Sequence, residues 1–140
     1  MDFVLDSSVA MRWLLATEKV NDQRYAETIL KAMATAQAVV PELWHLEAAN
    51  VLLSAESRVE VDPADVEAFI SHLISLPINT DTATHSQAFG RTLSLARAYK
   101  LSIYDAAYLE LALREGIPIA TLDKDLLKAA RKAQIKIYLK

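Results

Sequence analysis

Apolar and polar positions along the chain alternate between short apolar runs and longer stretches with helical spacing. Phe3-Val4-Leu5 is a brief apolar run ending at Asp6-Ser7-Ser8, whose side chains suit a helix N-cap, and Val9 to Leu15 reads as a short helix. Tyr25, Ile29 and Met33 recur at four-residue spacing and predict a helix from Asp22 to Ala36, followed by a strand, Ala38-Val39-Val40, that Pro41 stops. Leu43, Leu46, Ala49 and Leu53 mark one stripe of a helix from Leu43 to Ser57. Pro63, in an N1-like position after Asp62, opens another that reaches about Ser75, and Leu76-Pro77-Ile78 reads as an edge strand. Asp81 and Thr82 can cap a helix from about Ala83 to Tyr99. Ser102 starts the next, which runs to Glu115 and ends at Gly116 as a C′ residue. Pro118-Ile119-Ala120 is a strand, a helix follows from Lys124, and Ile135-Lys136-Ile137-Tyr138 is the last strand.

Strands separated by helices, with connections too long for hairpins, predict an α/β fold: a central parallel sheet of four or five short strands flanked by helices. A single domain over residues 1–140 is expected, since a chain of this length buries roughly 68–70% of its unfolded surface without disulfides or a structural metal. The chain has no cysteine, which excludes a disulfide-built module, a thiol enzyme, Cys-ligated zinc and iron–sulfur clusters. Its two glycines exclude a Gly-rich phosphate loop, so any phosphate chemistry rests on side chains or metal. The N-terminal stretch carries Asp6 and Arg12 and lacks a basic leader, and no apolar run reaches the ~18 residues of a membrane helix. A cytoplasmic protein without membrane association is the expectation.

The net charge of −3 conceals an asymmetry. Residues 1–70 hold five Lys/Arg against twelve Asp/Glu, whereas 71–140 hold ten against six. The basic excess gathers at the end, where Lys124, Lys128, Arg131, Lys132, Lys136 and Lys140 face a single acid, Asp125. An acidic total argues against a bulk-electrostatic nucleic-acid binder, and the basic run reads either as a solvated helix face or as a local anion-facing surface.

Four acids carry the candidate chemistry. Asp6 and Asp123 each follow an apolar strand, at the sheet edge where open α/β folds form their ligand crevice, although N-capping would place an Asp there equally well. Glu47 lies mid-helix in a segment with so few charges that most of its circumference is expected to be buried, with Asn50 one turn on to orient it. Asp105 stands in the apolar segment Ile103 to Leu109, where the alternative is a capping box with Ser102. Four carboxylates in one crevice repel, by on the order of 4 kcal/mol per close pair at an effective dielectric near 20, so they either protonate in part or bind cations. Oxygen-only ligands favour Mg2+ or Mn2+ over zinc, and the usual substrate of such a site is a phosphate.

Val4-Leu5-Asp6-Ser7-Ser8-Val9, Glu47-Ala48-Ala49-Asn50, Tyr104-Asp105-Ala106-Ala107-Tyr108 and Thr121-Leu122-Asp123-Lys124-Asp125, in this order, resemble the PIN-domain nucleases, specifically VapC-like toxins of toxin–antitoxin systems. The resemblance implies a PIN fold, a Mg2+- or Mn2+-dependent endoribonuclease leaving 5′-phosphate and 3′-hydroxyl ends, homodimerisation, and a small cognate antitoxin. It places Asp6, Glu47, Asp105 and Asp123 at the family's acidic positions, with Asp6 and Asp105 as direct metal ligands. Ser8 and Thr121 match hydroxyl positions that hold the site, Asn50 matches the polar residue after the Glu, and Asp125 is an added acid beside it, either near the metal or simply a first-turn helix acid.

His45, His72 and His85 pair with no nucleophile motif, and Trp13, Trp44, Tyr104 and Tyr108 read as core, interface or base-stacking positions. Two other classes compete. Aspartyl-phosphate proteins also place an Asp after a parallel strand, but Asp6-Ser7-Ser8 offers neither a D-x-D element nor a second acid. The other is a non-catalytic interaction module whose acids are caps; a PIN-fold nuclease outside a toxin–antitoxin system is the nearer alternative.

Overall fold

The computed structural model describes residues 2–140. Strands β1 (Phe3–Leu5), β2 (Ala38–Val40), β3 (Ile78–Thr80) and β4 (Ile119–Ala120) form one parallel sheet in the order β3-β2-β1-β4. Between them run α1 (Ser7–Ala10), continued by a 3-10 turn over Met11–Trp13, then α2 (Val20–Ala32), α3 (Trp44–Ser57), α4 (Pro63–Ser75), α5 (Thr84–Gln87), α6 (Leu93–Tyr99), α7 (Ile103–Glu115) and α8 (Lys124–Lys132). β1 is at the centre, wholly buried, and its apolar residues belong to one core with Ile29, Tyr108, Leu109, Ile119 and Leu126. A parallel sheet covered by helices needs such continuous apolar strands.

Several expectations move. The last strand shrinks to a single bridge between Ile119 and Ile137, because Gln134 and Leu139 adopt left-handed backbone and bracket the segment; Tyr138 still stacks on Phe3 at 4.3 Å. The sheet therefore has four strands. β3 starts two residues late: Pro77 has no N–H and contributes only its carbonyl, to Ala38 N at 2.9 Å. The helix expected from Ala83 to Tyr99 widens into a π-helical stretch over Ala88–Thr92, around Gly90. The phase of α3 is also different. Trp44, Ala48, Leu52 and Ala55 are its buried side, while Leu46 and Leu53 are 77% and 62% exposed, so this helix buries one flank rather than most of its circumference.

Candidate active site

β1 and β4 are neighbours, and both end at the same edge of the sheet. Asp6 follows β1, and its N–H donates to Ala120 O at 2.9 Å, which fixes the first acid against the second strand end. The side chain is only 5% exposed and does not cap α1. Instead its Oδ2 accepts from Thr121 Oγ1 at 2.6 Å and from Ser8 Oγ at 2.7 Å. Ser8 Oγ also accepts from Leu122 N at 3.0 Å, and Thr121 Oγ1 from Asp123 N at 3.0 Å, so the two hydroxyls tie both strand ends together. Burial raises the Asp6 pKa above the ordinary carboxylate range; the hydroxyl bonds oppose the rise and the charge of Asp123 adds to it.

Asp123 is the N-cap of α8, its Oδ1 accepting from Leu126 N at 2.9 Å, which leaves Oδ2 free of capping. Asp105 arrives from the first turn of α7, where Ser102 caps by accepting from Asp105 N at 3.1 Å. Only this half of a capping box forms, so the Asp105 carboxylate is not consumed by its own helix. Burial first, then the charges of Asp123 and Asp6, push it up to about 6, with a smaller contribution from Asp125.

Glu47 is half-buried on α3, and Tyr108 OH donates to its Oε1 at 2.5 Å. Its pKa is raised, mainly by burial and further by Asp6 and Asp105, while the Tyr108 bond lowers it. These mutual influences bring Asp6, Glu47, Asp105 and Asp123 into one electrostatic cluster, with exposed Asp125 at its rim. Asn50 is exposed and makes no side-chain hydrogen bond among the described residues; the group that orients Glu47 is Tyr108. Sequence reasoning placed Tyr108 among core and stacking aromatics. The signal was its position, one turn after Asp105 on the same face of α7.

The donors are all oxygen, which fits a hard cation. Among the described residues no three of His, Asp or Glu converge as a ready-made cage. Mg2+ suits that arrangement, since it keeps several waters and binds through one or two carboxylates plus substrate phosphate. Oδ1 of Asp6, which takes no side-chain hydrogen bond, and the Asp105 carboxylate are the groups available to it.

A family model settles the kinship, matching residues 3–132 under the description PIN domain. The chain belongs to the PIN domain family. PIN domains are nucleases as a class and generally use divalent metal ions. The fold is also similar to the crystal structure of PAE2754 from Pyrobaculum aerophilum, with a TM-score of 0.64 and 22% identity over 92% of this chain and 87% of that one. No curated protein matches the chain. No helix among the described residues is long and apolar enough to cross a membrane.

Proposed function

We propose that this PIN domain is a Mg2+- or Mn2+-dependent endoribonuclease and the toxin of a toxin–antitoxin pair. The observation that carries the catalytic part is the coupling of four carboxylates at one sheet edge, three of them with pKa values raised by burial and mutual repulsion and none of the three used as a cap. Asp6 and Asp105 are the residues that would hold the ion, with Glu47 and Asp123 completing the acidic cluster. When bound, the ion supplies Lewis acidity at the scissile phosphate and lowers the pKa of the attacking water. Ser8 and Thr121 keep Asp6 fixed, so the carboxylate loses no freedom when it takes up the cation. Glu47, aimed by Tyr108, would accept the proton of the attacking water as the water oxygen joins phosphorus, while the bond to the 3′-oxygen breaks and that oxygen takes a proton from solvent to leave as the 3′-hydroxyl.

Purified protein is expected to cut single-stranded RNA with Mg2+ or Mn2+ and to stop on chelation. An Asp6→Asn protein that keeps full, chelator-sensitive activity sinks the reading. The toxin role rests on the resemblance in the motifs. Its test is separate: expression arrests growth, co-expression of the adjacent reading frame rescues it, and sequencing RNA ends after induction identifies the target. The same reading includes a homodimer formed through the exposed apolar face of α3 and α4, where Ala49, Ile70, Leu73 and Ile74 line a groove of about 410 Å3.

A further inference from the structure

Asp125 is where the acidic site meets a surface of opposite sign. α8 begins at its cap Asp123 and carries Asp125, Lys128 and Lys132 at i, i+3 and i+7, which sets them along one face over about 10 Å of helix. Lys100 and Leu101, in the turn between α6 and α7, join them to line a groove of about 360 Å3 with Tyr99 behind. Lys100, Lys128 and Lys132 are all exposed, and none forms an ion pair among the described residues. The groove adjoins the carboxylates, because Asp125, which lines it, sits in the first turn of α8 two residues after Asp123.

Lys124 lines neither this groove nor the next, and the rest of the basic run faces elsewhere. Arg131, Lys136 and Lys140 line a different groove, of about 650 Å3, with Gln134, Ile135 and Ile137 and none of the acids. The C-terminal charge that looked uniform in sequence therefore divides into two surfaces, and only one is continuous with the site. Three unpaired ammonium groups lining one groove attract a chain of negative charges, and lysines, as point charges on flexible stems, grip phosphate without reading bases.

We propose that the Lys100–Lys128–Lys132 groove carries the sugar–phosphate backbone of single-stranded RNA on one side of the scissile bond. This rests on the nuclease reading above and assigns the three lysines as positioning residues. Lys100 gives it an unusual handle. It sits in left-handed backbone (φ 55°) at the end of α6, where glycine is the relaxed residue, so Lys100→Gly removes the charge and relieves the backbone together.

The test is binding of a short fluorescent oligouridylate in chelator, where no cleavage occurs, as a function of salt. Replacing all three lysines by Gln is expected to weaken binding at least about tenfold at low salt and to flatten the log K against log salt slope by about 2, three phosphates at ~0.7 each. The matched variant Arg131→Gln, Lys136→Gln, Lys140→Gln removes the same charge and is expected to change affinity less than about threefold. Equal losses in both variants, or a larger loss in the matched one, overturn the proposal. Lys100→Gly should raise the thermal midpoint while weakening binding; a gain in stability with unchanged binding removes Lys100 from the path and overturns the groove as drawn. In cleavage assays with Mg2+ the groove variant raises KM for long RNA by a larger factor than it lowers kcat. Wild-type protein that binds through the groove but never cleaves supports the path and refutes the catalytic reading, so the two fail separately.

Discussion

A carboxylate buried as deeply as Asp6 keeps its charge only while donors or a cation face it. Thr121 and Ser8 face one oxygen and leave the other for the ion, so their loss should loosen metal binding without removing a ligand. Thr121→Val is expected to lower RNA cleavage about 10–100-fold, with added Mn2+ recovering part of it, in a titration of activity against metal. The charges also set a pH dependence. The Asp105 carboxyl is pushed up to about 6 from 3.8, so between those values the native state holds a proton that the unfolded chain has released. Without divalent ions stability therefore falls as pH rises from about 4 to about 6 and then levels off. Thermal scans in chelator should show a higher midpoint at about pH 5 than at about pH 7, with Asp105→Asn flattening the difference; an opposite slope counts against the cluster. Activity runs the other way, rising with pH, because a proton on Asp105 competes with the cation for the carboxylate. The four acids were legible in sequence because few other residue types sit so awkwardly in apolar segments. Tyr108 was not, since an aromatic in a buried helix looks the same whether or not its hydroxyl has work to do.

At the scale of elements, one ion-pair cluster fixes α7, the helix that delivers both Asp105 and Tyr108. Arg114 donates to Asp81 Oδ1 and Oδ2 at 3.0 and 2.7 Å and to Glu110 Oε2 and Oε1 at 2.9 and 3.0 Å, tying the C-terminal turns of α7 to the residue after β3. Glu110 is 2% exposed, so removing the guanidinium strands a buried charge. Arg114→Met is expected to cost about 3–5 kcal/mol in urea denaturation, and adding Glu110→Gln should return part of that. A loss below about 1 kcal/mol would show that the cluster is not holding the helix. Some element ends were readable and others not: Asp62, Ser102 and Asp123 accept the cap bond their sequence position predicts and Gly116 takes the left-handed turn, whereas α5 starts from Ala83 without a side-chain cap from Asp81 or Thr82, and Asp6 leaves α1 uncapped. The phase of α3 was not readable. Leu43, Trp44, Leu46, Ala48, Ala49, Val51, Leu52 and Leu53 are all apolar, so no polar positions mark which flank faces inward.

At the scale of the whole molecule, the unread flank of α3 has a consequence. Leu46 and Leu53 are exposed on α3 and Ile74 is exposed in the groove between α3 and α4, and apolar area of this kind is costly to leave in water. A second copy of the chain is the occupant in the dimer proposed here, and a stable pair needs roughly 800 Å2 from each partner, most of it apolar at the centre. Ala49 and Ile74 line the groove and are themselves exposed, so a carboxylate at either position is solvated in the monomer and desolvated only on association. Ala49→Glu with Ile74→Glu should therefore leave the thermal midpoint of dilute protein nearly unchanged and shift sedimentation from dimer to monomer at micromolar concentration. Activity retained in the monomeric variant means that each protomer carries a complete site, as the cluster of Asp6, Glu47, Asp105 and Asp123 within one chain requires. A wild-type chain that sediments as a monomer at every concentration removes the dimer and leaves the α3–α4 face to another partner.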